Sequence, residues 1–147
     1  MIEQFLLLAD TQIVVWYLLE PGRLTEAARG AVAHSVGSGV PVAISAYSVL
    51  ELVYAAEKQS NPFTAEDFAA VLRVFGDPQS PFEVVDMTAE IAARVLLVPR
   101  EVNADPGDRT IIATAEVLSV PIVSSDRKFP SMTDRKSVVE ERVLMPV

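Results

Sequence analysis

The chain has 147 residues, half of them hydrophobic, no cysteine and a formal charge of −8 at pH 7. That length suits one domain that buries roughly 70% of the surface its unfolded form exposes, and the missing cysteines exclude disulfides, thiolate metal sites and thiol nucleophiles. The negative balance excludes polyanion binding through net charge, so a nucleic-acid partner would have to be held by a local basic patch or by metal. Met1-Ile2-Glu3-Gln4 has no cationic region and no apolar run approaches a membrane span, which predicts a soluble, cytoplasmic protein.

Phe5-Leu6-Leu7-Leu8-Ala9 is a short apolar run that stops on Asp10-Thr11. It is too short for a free helix and fits a strand buried on both faces of a parallel sheet, the central strand of the domain. Thr11 to Leu19 reads as a short helix stopped at Glu20-Pro21-Gly22, and Leu24 to Val36 as an alanine-rich helix ended by Gly37 and Gly39. Pro41 to Ile44 is the second strand. Ser45 caps a helix from Ala46 to Lys58 whose apolar face runs through Ala46, Val49, Leu50, Val53 and Ala56, with Glu51 off that face. Thr64 and Asp67 make a capping pair for a helix through Phe75. Phe82 to Asp86 alternates like a strand, and Thr88 caps a helix to about Val98. Asp105-Pro106-Gly107-Asp108 then opens a helix, Arg109 to Leu118, that is apolar around most of its girth and so buried. Pro121 to Ser124 is a strand ending at Asp126, and a last short strand falls near Val143-Leu144-Met145. No internal repeat or interdomain linker interrupts this alternation, so residues 1–147 read as a single domain.

In a parallel sheet, strand C-termini and helix N-termini share one edge, where open α/β folds bind ligands. Asp10 and Asp126 end strands, Asp105 and Asp108 begin a helix, and Glu51 lies in the second turn of the helix after the second strand. Each has a bland alternative: Asp10 and Asp105 as helix caps, Glu51 as a solvated residue, Asp126 as a turn opener. Their joint placement on one edge is what those alternatives do not predict. At an effective dielectric near 20, two unit charges about 4 Å apart repel by roughly 4 kcal/mol, so the cluster must take up protons or hold a cation. Oxygen ligands without cysteine, and a single histidine, select a hard ion, Mg²⁺ or Mn²⁺. His34, mid-helix among alanines, reads as a surface or packing position, and Trp16, Tyr17, Tyr47 and Tyr54 as core or interface residues. No P-loop, Gly-x-Ser-x-Gly or Gly-x-Gly-x-x-Gly is present.

Leu8-Ala9-Asp10-Thr11, Ser48-Val49-Leu50-Glu51-Leu52, Asp105-Pro106-Gly107-Asp108-Arg109 with its apolar continuation to Ala115, and Val123-Ser124-Ser125-Asp126-Arg127-Lys128-Phe129 together resemble a PIN domain, most closely the VapC-type toxins of toxin–antitoxin pairs. The sequence departs from that pattern at Asn103-Ala104, where relatives often carry histidine, and at Ser124-Ser125, where threonine is common; neither change removes an acid. The resemblance implies a three-layer α/β/α fold with a mostly parallel central sheet. It also implies a Mg²⁺- or Mn²⁺-dependent endoribonuclease, a VapB-type antitoxin that sets a basic side chain against the acids, and a homodimer. Carried over by position, Asp10, Glu51, Asp108 and Asp126 match the acidic quartet, with Asp105 as an accessory or capping acid. Arg127 and Lys128, with Arg109, are then expected to contact phosphates of the RNA on either side of the cut bond. The alternatives are a non-catalytic PIN-like binding module and another Mg²⁺-dependent phosphoryl-transfer α/β domain; the latter is disfavoured because Asp10-Thr11-Gln12 lacks a second aspartate.

Overall fold

A computed structural model describes residues 4–58, 62–101 and 105–125 and the backbone of 142–143. Among these residues five strands form one sheet: β1 (Leu8–Ala9), β2 (Val42–Ser45), β3 (Phe82–Val85), β4 (Ile122–Ser124) and β5 (Arg142–Val143). Their order is β3-β2-β1-β4-β5, with the first four parallel and β5 antiparallel to β4. The first apolar run is thus central, as expected, although only Leu8 and Ala9 lie in the ladder, in register with Ala43 and Ile44 on one side and Ile122 and Val123 on the other. Pairing continues into Asp10, whose N–H donates to the Val123 carbonyl at 2.9 Å.

Among the described residues six α-helices cover the sheet: α1 (Thr11–Leu19), α2 (Glu26–Gly37), α3 (Ala46–Glu57), α4 (Ala65–Phe75), α5 (Ala89–Val95) and α6 (Pro106–Leu118). Successive strand side chains point to opposite faces, so each strand feeds two cores. Leu8, Ala43 and Ile122 pack with Ile91, Ile111 and Ile112 from α5 and α6. Ala9, Val42, Ile44 and Val123 pack on the other face with Ile13, Val14 and Val32 from α1 and α2. The three-layer arrangement follows from strands that are apolar on both faces. None of the helices among the described residues is long and apolar enough to cross a membrane.

Local chemistry sets most boundaries. Thr64 and Asp67 form the expected reciprocal cap on α4. The second helix starts two residues later than its apolar pattern suggested, because Pro21–Arg23 forms a separate 3₁₀ turn and Thr25 then caps α2 by accepting from the Ala28 N–H. Gly39, at φ +78°, carries the turn beyond α2, and His34 is exposed on that helix as expected. Helix α5 ends at Val95 rather than near Val98, leaving Leu96 and Leu97 82% and 59% exposed. The expected apolar face of α3 is also corrected. Leu50 is exposed, whereas Ser48 and Leu52 are buried; the helix turns a partly polar face inward because Ser48 and Glu51 meet Thr11 of α1 there. Of the expected last strand, Val143 pairs with Val123, and Leu144 and Met145 lie outside the described residues.

Candidate metal centre

Asp10 follows β1 directly and caps α1, so the capping reading of this residue holds. Its Oδ1 accepts from the Thr11 N–H at 2.8 Å and its Oδ2 from the Ser124 hydroxyl at 2.8 Å. Only 7% of its surface is exposed. Burial pushes its pKa from 3.8 up to about 7; the hydrogen bonds from Ser124 and Thr11 work against that rise, and the charges of Asp108 and Glu51 add to it. Asp10 at the β1–α1 junction, Glu51 in the second turn of α3 and Asp108 in the first turn of α6 therefore share one electrostatic neighbourhood at the C-terminal edge of the sheet.

Glu51 is held from α1. The Thr11 hydroxyl lies 2.7 Å from both Glu51 Oε1 and Ser48 Oγ. A hydroxyl has one proton to give, which goes to the carboxylate, and Thr11 then accepts from Ser48. Ser48 is fully buried and half-buried Glu51 stands nearly one turn further along α3. Asp105 is the N-cap of α6: its Oδ1 accepts from the Asp108 N–H at 3.0 Å, with Pro106 at the first helical position. That bond orients the first turn and with it Asp108, which is 8% exposed. Sequence reasoning quoted Thr11, Ser48 and Ser124 within the motifs but gave them no role. Their signal was positional: a hydroxyl next to, three residues before, or on the strand neighbouring each acid.

Among the described residues no three acids form a ready-made cage for an ion. The donor chemistry nevertheless fits a hard divalent cation, because the donors are carboxylate oxygens and the charges on Asp108 and Glu51 already disfavour ionisation of Asp10. Asp126, Arg127 and Lys128 lie outside the described residues. Arg109 needs a correction. Expected at the RNA phosphates, its guanidinium instead donates to the Val98 carbonyl at 2.8 and 3.1 Å and to the Val95 carbonyl at 3.0 Å. The turn after α5 already pairs the Val95 carbonyl with the Val98 N–H at 3.0 Å, and the planar fork of Arg109 adds a donor there while supplying two to the Val98 carbonyl.

A half-open cleft of about 570 Å³ runs from Asp10, Thr11 and Glu51 past Trp16 to Phe63 and Asp67. Trp16 lines it with the Arg23 guanidinium 4.7 Å above its ring, while Tyr17 turns into the core edge-on to Phe82 at 5.4 Å.

A doubly covered parallel sheet with acids gathered beyond its central strand defines a class, and the class is matched directly: the family model for the PIN domain covers residues 7–134, and the chain belongs to that family. Ribonuclease VapC22 of Mycobacterium tuberculosis is 30% identical to it over 124 residues, 84% of this chain and 89% of that protein. The crystal structure of VapBC2 from Rickettsia felis bound to a DNA fragment from its promoter matches with a TM-score of 0.64 at 17% identity, covering 94% of this chain and 98% of that one. DNA-bound VapBC from Salmonella typhimurium matches with a TM-score of 0.61 at 19% identity, over 84% and 88% of the two chains. At these identities the two crystal structures speak for the fold.

Proposed function

We propose that the protein is a metal-dependent endoribonuclease acting as the toxin of a toxin–antitoxin pair. The observation that carries this reading is the buried Asp10, held at the end of the central strand beside the charges of Glu51 and Asp108. The relation to a protein named ribonuclease VapC22 supports RNA as the substrate. Asp10, Glu51 and Asp108, with Asp126, would hold Mg²⁺ or Mn²⁺; Asp105 keeps its capping role. When bound, such an ion supplies activation of a water for attack on the phosphate and stabilisation of the leaving oxygen. The chain's own part is orientation. Ser124 and the Thr11 N–H fix the two oxygens of Asp10, the Thr11 hydroxyl fixes one oxygen of Glu51, and Asp105 fixes the first turn carrying Asp108. Arg127 and Lys128 contact the RNA backbone. The partner is a VapB-type antitoxin that sets an arginine against the acids, a contact that favours their charged forms.

Mn²⁺ at a hundred times its Kd should stabilise the wild type by about 2.7 kcal/mol, which for a domain of this size is a rise of roughly 5–10 °C in Tm. Asp108→Asn and Glu51→Gln should lose both that rise and the cleavage of a fluorogenic RNA. A Tm indifferent to Mn²⁺ would overturn the metal reading. Cleavage retained in Asp108→Asn would remove the assigned site.

The homodimer rests on exposed apolar surface: Leu50 and Tyr54 on α3, and Leu96 and Leu97 after α5. Light scattering at micromolar concentration should give twice the 15.9 kDa of one chain; a monomer mass would count against the dimer.

A further inference from the structure

Of the chain's six glycines, Gly107 alone sits where a side chain has no room. Its backbone is ordinary helix in the first turn of α6, so the requirement is one of space and not of dihedral freedom. A Cβ there would stand 2.6 Å from Tyr47 Cε2, 3.1 Å from Glu51 Oε2 and 3.2 Å from Asp105 Oδ1. The half-buried Tyr47 thus sets its ring against the bare backbone of Gly107, beside the carboxylates of Glu51 and the capping Asp105. It precedes Glu51 by one turn of α3, which puts the two side chains on the same helix face.

We infer that Tyr47 is a positioning residue for the metal centre: its ring, seated on Gly107, sets the spacing of α3 from the N-terminus of α6 and so holds Glu51 opposite Asp108. This rests on the metal-dependent reading above. The role belongs to the ring and not to the hydroxyl.

The test is a set of variants read by Mn²⁺ half-saturation, RNA cleavage and metal-free Tm. Gly107→Ala should raise the Mn²⁺ half-saturation concentration and lower kcat/KM by about ten-fold or more, the usual consequence of disturbing the groups that orient metal ligands. Adding Tyr47→Ala to Gly107→Ala removes the collision and should restore a good part of both. Tyr47→Phe should match the wild type. Tyr47→Ala alone should raise the Mn²⁺ half-saturation concentration and regain cleavage at high Mn²⁺, which a merely structural role would not produce. The inference fails if Gly107→Ala binds Mn²⁺ and cleaves as the wild type does, or if the double variant is no better than Gly107→Ala. It also fails if Tyr47→Ala lowers Tm without moving the Mn²⁺ response. The metal-free Tm separates the two readings. Non-additive Tm changes for the Tyr47 and Gly107 variants, with no Mn²⁺ response in the wild type, would keep the steric pair, discard the metal centre and with it the assigned role.

Discussion

Asp10→Asn should make the metal-free protein more heat-stable at pH 8 while abolishing RNA cleavage. The folded chain holds this carboxyl at about 7, against 3.8 unfolded, chiefly through burial and further through the charges of Asp108 and Glu51. A raised pKa means that the folded state binds the proton more tightly. The stabilisation is therefore fully present below pH 3.8 and is lost as pH rises through 7. By pH 8 the wild type carries a buried carboxylate at a cost of up to about 4 kcal/mol, the free-energy equivalent of that pKa difference. Asparagine is isosteric and loses neither local bond: its Oδ1 can accept from the Thr11 N–H while its Nδ2 donates to the Ser124 hydroxyl, which turns to accept. In a chelator-containing buffer, Tm of the wild type should fall between pH 5 and pH 8 while that of Asp10→Asn changes much less. At pH 8 the gap should approach 10 °C, given about 2–4 °C per kcal/mol for a chain of this size. Equal profiles for the two proteins would mean that Asp10 is not held protonated.

Arg109→Ala should cost about 3 kcal/mol in urea denaturation and leave the salt dependence of RNA binding unchanged. Its guanidinium makes three hydrogen bonds to the carbonyls of Val95, the last residue of α5, and Val98 just beyond it, and bonds with a charged partner contribute about 1.5–3 kcal/mol each, not fully additive. Truncation takes both guanidinium bonds from the Val98 carbonyl and leaves the Val95 carbonyl only its bond from the Val98 N–H, at the point where α5 packs on α6. Arg109→Lys should recover less than half, because an ammonium cannot span the Val95 and Val98 carbonyls as a fork does. A flattened salt slope with unchanged stability would return Arg109 to the RNA.

The central strand and the start of α6 were legible because each rests on a local rule. An apolar run too short for a helix marked the central strand, and Asp105-Pro106-Gly107-Asp108 announced a helix start. Hydroxyl partners were not legible, since a serine at the end of a strand reads the same whether it faces solvent or, like Ser124, a buried aspartate 114 residues away. The inward face of α3 was misread for a related reason: its buried side includes Ser48, and an apolar-face rule discards the polar residues that a site requires. Arg109 illustrates a third limit. Adjacency to an acidic motif suggested a ligand contact, but the Val95 and Val98 carbonyls that take up its guanidinium come within reach only in three dimensions.

The bond between Ser124 and Asp10 also bears on the order in which the site comes together. Asp10 finds one of its two hydrogen-bond donors in the strand that closes the parallel ladder, and Glu51 finds Thr11 across 40 residues. Contacts of such sequence separation form late, after the loops between them have closed. A chain emerging from the ribosome and ending before Ile122 has no β4 to pair with β1 and no hydroxyl for its first acid. The surroundings of Asp10 are thus completed only with the sheet itself, by the last strand of its parallel ladder.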